Sequence, residues 1–339
     1  MSAVAAQHVP ERARALLVRG LSVRFSGRRG SIVGAADVDL DVYAGELVAL
    51  LGESGSGKSV TARAIMGLHP AKSTIVEADQ LQVGGTDILS CTDDQLRELR
   101  GSKMSMVFQD ALSALNPVLS VGNQMAELYL HHKGVSRKAA RAQAIEMLEL
   151  VGIPGARKRI DDYPHQFSGG MRQRLLIAMA IALEPPLLIA DEPTTALDVT
   201  VQAQILELLD RLRAELDMAV LLITHDLGVV SEVADRVFVM YAGRIVESAS
   251  ADSLFAQPAH PYTEALLRSV PQAHQRAEAL TVIPGSPPRP SQLPGGCPFH
   301  PRCTWAVEIC TTTRPPLALV ENGRLSACHR TEEVLRGSA

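Results

Sequence analysis

Short apolar segments of two different kinds alternate along the chain and predict a mixed α/β core. Three nearly continuous apolar runs, residues 47–51, 187–191 and 219–224, are typical of parallel strands buried on both faces. Residues 16–25 and 38–42 also have the composition of strands, and the second alternates apolar residues with aspartates. The order of these segments predicts a parallel sheet as the centre of the fold.

Helical periodicity separates these strands. From about residue 92 to residue 163 the pattern is mostly helical, and residues 138–151 place their apolar side chains on one face. Residues 201–216 form a second helix with one apolar stripe. We therefore expect an α/β core that is interrupted by a helical insert at about residues 92–170.

The composition changes after a helix-like segment at residues 262–270. Seven of the 20 prolines lie between Pro284 and Pro301, which favours a loop-rich module. The sequence predicts a large domain at residues 1–255 and a small C-terminal module at residues 256–339.

Charge and hydropathy narrow the class of protein. The 339 residues carry a formal net charge of −4 and no long basic run, so a broad nucleic-acid-binding surface is not expected. The apolar runs are far shorter than the roughly 20 residues that span a bilayer. The N-terminus has no apolar segment typical of a signal peptide. We expect a soluble chain.

Residues 52–59 fit the phosphate-binding pattern G-x-x-x-x-G-K-[ST], and a buried strand precedes them. Glycines let backbone N–H groups surround a phosphate, and the following helix directs its positive end at the anion. Lys58 can reach the β and γ phosphates, and Ser59 can bind Mg²⁺. The loop consists of Gly52, Glu53, Ser54, Gly55, Ser56, Gly57, Lys58 and Ser59.

Two further motifs suit nucleotide chemistry. The run 187–191 ends in Asp191, which is placed to hold Mg²⁺, and is followed by Glu192, which can polarise an attacking water. Ser168 is a natural helix N-cap, and Gly169 and Gly170 after it leave N–H donors uncovered for an anion.

Together these motifs resemble the ABC-type ATPase family over nearly the whole chain. Residues 167–171 are FSGGM where the family signature is LSGGQ, so the Ser-Gly-Gly centre is intact. The resemblance implies a P-loop NTPase fold that binds ATP and Mg²⁺. It also implies roles for further residues: Phe25 stacks on adenine, Gln109 senses Mg²⁺ and the membrane subunits, and His225 is a catalytic residue beside Glu192. Val60, after the phosphate loop, and Asp198 are further residues of the nucleotide site. The resemblance also implies that two ATPase cores close face to face, each signature covering the γ-phosphate that the other holds.

Several stretches are more specifically similar to oligopeptide/dipeptide importer ATPases of the first, D-like type. They are residues 107–110, 113–117, 167–174, 191–200, 260–262 and 296–303. This resemblance implies a second ATPase, either a different F-like chain or another copy, two permease subunits and an extracytoplasmic solute-binding protein. It places the chain at the cytoplasmic face of the inner membrane. Peptides are the expected cargo, with nickel, haem or glutathione as alternatives.

Four of the five cysteines crowd the C-terminal module: Cys297, Cys303, Cys310 and Cys328. Five, six and seventeen residues separate them, whereas zinc sites usually contain closely spaced cysteine pairs. Four thiolates on irregular backbone suit a [4Fe–4S] cluster better, and the family's tail is similar to ones that hold such a cluster. Zinc and unligated thiols are the alternatives, and Cys91 is expected to be a bystander.

Three competing functions fit the fold less well. An ABC ATPase of iron–sulfur assembly would end near the core, without this long tail. A DNA-repair or chromosome ATPase would need a long coiled-coil insertion or zinc modules within the core. A redox-sensing adaptor with an inactive core would not need Lys58, Gln109, Asp191, Glu192 and His225.

Overall fold

The computed structural model describes residues 13–27, 30–110, 114–195, 197–269, 283–321 and 323–337. It contains two sheets with helices around the larger one. The strands are β1 (Arg14–Gly27), β2 (Gly30–Tyr43), β3 (Leu47–Leu51), β4 (Thr74–Glu77), β5 (Gln80–Val83), β6 (Thr86–Asp87), β7 (Met104–Val107), β8 (Leu187–Asp191), β9 (Ala219–Thr224), β10 (Arg236–Tyr241), β11 (Arg244–Ser250), β12 (Ala318–Leu319) and β13 (Leu325–Ser326).

The helices of the described residues follow in chain order. They are α1 (Lys58–Ile65), α2 (Asp93–Ser102), α3 (Val121–Lys133), α4 (Arg137–Leu150), α5 (Ala156–Arg159), α6 (Gly169–Ile181), α7 (Val199–Leu216), α8 (Leu227–Val233), α9 (Ala251–Ala256), α10 (Pro261–Arg268), α11 (Ile309–Thr312) and α12 (Thr331–Gly337). None of these described helices is long and apolar enough to cross a bilayer.

The larger sheet has the order β12-β13-β11-β10-β3-β9-β8-β7. The five strands from β10 to β7 are parallel, and every residue of β3, β8 and β9 is buried. This confirms the parallel core that the three apolar runs predicted. Because parallel strands end at the same edge, the loops after β3, β7, β8 and β9 all meet there.

The smaller sheet is antiparallel and packs against the larger one. Its order is β2-β1-β5-β6, and β4 also pairs with β1. Apolar residues of β1 and β2 share one hydrophobic cluster with α1 and with the central strands β3, β8 and β9. The short strands β4 to β6 have no counterpart in the sequence prediction.

The region predicted as a helical insert is mostly helical but also contributes one strand to the larger sheet. Helices α3 to α6 pack in one cluster with α7, as the periodicity indicated. However, β7 lies between α2 and α3 and joins the larger sheet beside β8. The stretch from residue 92 to residue 163 is therefore mostly helical, as predicted, and also contains one strand of the parallel core. Ser113, in one of the importer-like stretches, lies outside the described residues.

The C-terminal module is built onto the end of the larger sheet. Strand β13 pairs antiparallel with β11, and three buried rings, Tyr241, Tyr262 and Phe299, have centroids 4.6–5.3 Å apart. Glu247 is fully buried, and its carboxylate accepts hydrogen bonds from the N–H groups of Ala259 and His260 at 2.7 and 3.0 Å. The boundary at residue 256 stays a prediction.

Candidate functional site

The phosphate loop connects β3 to α1 and has, at Gly57, a backbone conformation that glycine adopts most easily. Gly57 has φ 109°, and a Cβ atom there would lie 2.6 Å from the carbonyl oxygen of Gly34. Lys58 is 4% exposed, and its ammonium group donates to the carbonyl oxygens of Gly52 and Glu53 at 2.7 and 3.1 Å. The loop therefore has the compact, glycine-dependent form that backbone binding of a phosphate requires.

The charge of Lys58 is set by two opposing effects. Burial lowers the pKa of its ammonium group, while the carboxylates of Glu192, Asp191 and Glu53 raise it. Burial and the neighbouring carboxylates thus act in opposite directions on the Lys58 pKa, and the place of Lys58 in the loop is what puts its ammonium group within reach of a phosphate.

Asp191 ends β8 and contacts the phosphate loop directly. The Ser59 hydroxyl donates to a carboxylate oxygen of Asp191 at 2.9 Å. Burial raises the pKa of Asp191, partly offset by the hydrogen bond from Ser59. Two hard oxygen donors lie side by side here, which is the donor set that Mg²⁺ prefers.

Glu192 follows Asp191 and is held by three side chains. Gln109 and Thr195 both donate to its Oε2 atom at 2.9 Å, and Nδ1 of His225 lies 3.2 Å from Oε1. The backbone of Glu192 has φ 48°, a conformation that non-glycine residues rarely adopt. Gln109, Glu192 and His225 come together because β7, β8 and β9 are parallel neighbours. This convergence supports their predicted association, although their roles stay predictions.

A cleft of about 940 Å³ joins these groups to Phe25. Most of the predicted nucleotide-binding residues line it: Phe25, Gly52, Glu53, Ser54, Gly55, Gly57, Lys58, Ser59, Val60, Gln109, Glu192 and His225. The lining also includes residues that were not predicted from the sequence. They are Ile32 and Gly34 of β2, Thr195, and Leu266, Pro287 and Pro290 of the C-terminal module. Thr195 lies within a stretch that the resemblance already included, so it could have been found.

Ser56 is buried near Gly52, and a Cβ atom on Gly52 would lie 2.8 Å from the Ser56 hydroxyl oxygen. Ser56, a predicted nucleotide-binding residue, therefore lies inside the loop and does not line the cleft.

Four predicted residues lie away from the cleft. Ser168 caps α6 by accepting from the Met171 N–H at 3.4 Å, and Gly169 and Gly170 follow it on the helix. A Cβ atom on Gly170 would lie 2.6 Å from Val201, so close packing against α7 also requires this glycine. Asp198 caps α7 by accepting from the Val201 N–H at 3.0 Å. Ser168 to Gly170 do not share a cleft with Lys58 in one chain.

The four C-terminal cysteines are free thiols that line one small cavity of about 10 Å³. Burial raises the pKa of the Cys303 thiol to about 11 and that of Cys328 to about 12. Within the described ranges, however, no group of three or more histidine, cysteine, aspartate or glutamate side chains is arranged to hold a metal ion. The thiols fit a soft metal by type but are not in ligating geometry. Cys91 donates to the Asp87 carbonyl oxygen and does not line this cavity.

Comparison with known proteins gives two family matches. Residues 35–195 match the family described as ABC transporter, and residues 246–310 match the C-terminal region of oligopeptide/dipeptide transporters. The oligopeptide transport ATP-binding protein OppD of Escherichia coli is 47% identical over 339 residues, covering 99% of this chain and all of the relative. The dipeptide transport ATP-binding protein DppD of Bacillus subtilis is 50% identical, covering 89% and 90%.

A solved dimeric structure of a bacterial ABC transporter cassette has the same core. It superposes with a TM-score of 0.62 at 27% identity and covers 70% of this chain and 98% of the cassette. The same cassette, as a dimer bound to ADP and Pi, gives a TM-score of 0.61 at 26% identity and covers the same shares.

The glycines of the phosphate loop provide a test of the site. Gly57→Ala should weaken binding of Mg-ATP by about 10- to 100-fold, because its Cβ overlaps backbone and costs roughly 1–3 kcal/mol. Gly55 also has positive φ, but a Cβ there meets nothing within 4 Å. Gly55→Ala should lose about fivefold from backbone strain alone. Calorimetric titration measures both; equal losses would contradict the close packing of Gly57.

Proposed function

The chain belongs to the ABC transporter ATP-binding proteins of the oligopeptide/dipeptide type, and we propose that it powers peptide uptake by hydrolysing ATP. The observation that carries this proposal is the convergence of Lys58, Asp191 and Glu192 at the carboxyl edge of the parallel sheet. This edge combines a phosphate-binding loop with an acid that can activate water. The C-terminal match and the two relatives support peptides as the cargo class.

In the proposed reaction the phosphates of ATP lie in the loop, with Lys58 and the N-terminus of α1 facing them. Glu192 accepts a proton from, or orients, the water that attacks the γ-phosphorus atom. The bond from phosphorus to the β–γ bridging oxygen then breaks, giving ADP and phosphate. Gln109, Thr195 and His225 hold the Glu192 carboxylate in one orientation. Such positioning supplies much of the rate enhancement when little covalent chemistry falls to the protein.

Ser59 and Asp191 would hold Mg²⁺ together with Gln109. When bound, Mg²⁺ neutralises charge on the phosphate oxygens. The support from this chain is the hydroxyl–carboxylate contact of 2.9 Å at the phosphate loop. Asp191 is 3% exposed, so it is held in one place by its surroundings.

A second ATPase completes each site in this proposal. Ser168, Gly169 and Gly170 lie outside the cleft that Lys58 lines, so within one chain they have no access to its γ-phosphate. A partner that presents its own Ser-Gly-Gly segment would cover that phosphate, and this chain's segment would cover the partner's. The cassette that superposes on the core is itself a dimer. We propose a different, F-like ATPase as the partner, with a second copy as the alternative.

The remaining partners are proposed from the family. ABC importers of this type imply membrane permeases, and we propose two of them, with an extracytoplasmic solute-binding protein that selects the cargo. The chain would then lie at the cytoplasmic face of the inner membrane. Nickel, haem and glutathione stay alternative cargoes.

We further propose that Cys297, Cys303, Cys310 and Cys328 bind a [4Fe–4S] cluster. The four thiols line one cavity, and four cysteine thiolates are the donor set that such a cluster would take. Zinc is the alternative, but zinc sites usually contain closely spaced cysteine pairs, which this sequence lacks. A cluster would cross-link a module that has little hydrophobic core of its own.

Glu192→Gln tests the proposed base. The amide keeps the shape but cannot accept a proton, so hydrolysis should fall by about 10²- to 10⁴-fold while ATP binding stays close to wild type. Phosphate release and equilibrium binding are measured on the complex. Glu207→Gln, an exposed acid on α7, is the matched control and should leave both unchanged. Near-normal turnover by Glu192→Gln would show that another group activates the water.

Ser168→Arg tests the shared site. The isolated chain should bind ATP normally, because Ser168 lies outside the cleft. Hydrolysis by the assembled complex should fall by about 10²-fold or more, since the arginine would obstruct the partner's γ-phosphate. Ser136→Arg removes the equivalent exposed cap of α4 and should spare hydrolysis. If Ser168→Arg abolishes ATP binding by the isolated chain, the division between the two sites is wrong.

Metal analysis tests the cysteine site. Anaerobically purified wild-type chain should contain about four iron and four sulfide per chain and absorb visible light. Cys310→Ser should lose the iron, whereas Cys91→Ser should retain it. Stoichiometric zinc without sulfide would overturn the cluster, and metal-free protein with intact ATP hydrolysis would leave the thiols unligated.

A further inference from the structure

Two prolines of the C-terminal module line the same cleft as Phe25 and Lys58. Pro287 and Pro290 lie more than 200 residues after the phosphate loop, yet they line one cavity with it. Both are exposed, so their rings are available on the surface of the cleft. Leu266, from α10, lines the cleft as well. One wall of the proposed nucleotide site is therefore built by the module and not by the ATPase core.

The segment that carries these prolines is anchored at its start. Ile283 packs against the hydrophobic cluster of α10 and β10. Nε of Arg302 donates to the carbonyl oxygen of Pro284 at 2.9 Å. A further turn is closed by the Gln292 N–H, which donates to the Arg289 carbonyl oxygen at 2.8 Å. The segment that presents the prolines is thus anchored at its start and closed into a turn after Pro287.

Arg302 connects this segment to the phosphate loop. It is 7% exposed, and its two terminal nitrogens donate to the two carboxylate oxygens of Glu53 at 2.7 and 3.0 Å. The Tyr262 hydroxyl accepts from the Glu53 N–H at 2.9 Å. A buried, bidentate pair of this kind is geometrically specific. One arginine therefore fixes the proline segment and the phosphate loop relative to each other.

Proline rings suit contact with the adenosine part of ATP and not with its phosphates. They are apolar, have a fixed φ and offer no N–H, so they give a phosphate nothing to bind. They can pack against a base or a ribose at little entropic cost, as apolar walls of small-molecule sites do. Lys58, Ser59 and the loop glycines already serve the phosphates in the proposed function.

We propose that Pro287 and Pro290 bind the adenosine part of ATP, facing the cleft that Phe25 also lines, and that Arg302 is the residue that positions them. This inference rests on the proposed nucleotide-binding function. It makes the C-terminal module part of the ATP site.

The test compares ATP with tripolyphosphate, which lacks the adenosine. Calorimetry on the full chain measures binding of each, with Mg²⁺, to wild type and to the double variant Pro287→Ala/Pro290→Ala. The double variant should bind ATP about threefold to tenfold more weakly, as expected for loss of roughly 30–50 Å² of apolar contact. Its affinity for tripolyphosphate should equal that of wild type. Pro316→Ala, an exposed proline of the same module outside this cleft, should change neither.

The outcomes separate this inference from the proposed function. If wild type binds ATP and the double variant binds it equally well, the prolines are not part of the site. If both ligands weaken together, the prolines act on the phosphate loop and the adenosine contact is wrong. If wild type fails to bind ATP at all, the proposed function itself fails.

Arg302→Lys tests the positioning role. Lysine keeps the charge but loses the fork that holds Glu53 and Pro284 together. In this background, replacing the two prolines should change ATP affinity by less than about twofold, because they are no longer held against the nucleotide. If the proline substitutions weaken ATP binding as much in the Arg302→Lys variant as in wild type, Arg302 does not position the two prolines. Thermal unfolding identifies any variant that has lost its fold.

Discussion

The ammonium group of Lys58 lies almost fully buried at the carboxyl edge of a parallel sheet, among the carboxylates of Glu53, Asp191 and Glu192. A buried cation is stable only where opposite charge surrounds it, and the sheet supplies that charge. Strands β3 and β8 are buried throughout and both border β9, so they deliver the loop and the acids to one edge. The phosphate site therefore depends on the parallel core, which brings the loop and the acids together.

The C-terminal module is connected to the same edge. The pair between Arg302 and Glu53 joins the module to the phosphate loop, and the Tyr262 hydroxyl accepts from the loop backbone. Cys303 directly follows Arg302 in the chain. A ligand that restricts the motion of Cys303 would therefore also restrict Arg302, which contacts the phosphate loop. This arrangement makes the module more than an attachment to the ATPase core.

Local pattern predicted the parts of the fold that are strongly apolar. The bounds of β3, β8 and β9 follow from continuous apolar runs that leave little choice of structure. Strand β7 has only four residues between helices, so its pairing with β8 depends on tertiary contacts that periodicity does not encode. The phosphate loop was predictable because its chemistry is contained in eight successive residues. Pro287 was not, since its place in the cleft depends on contacts with residues far away in the chain.

We propose that this chain hydrolyses ATP as part of a membrane-bound importer. The most direct measurement is phosphate release from Mg-ATP by the complex purified from membranes through this chain, with its subunits identified by mass spectrometry. We expect two polytopic permeases, a second ATPase and sustained phosphate release. A chain that copurifies with no permease, or a complete complex that releases no phosphate, would contradict the proposed role in transport.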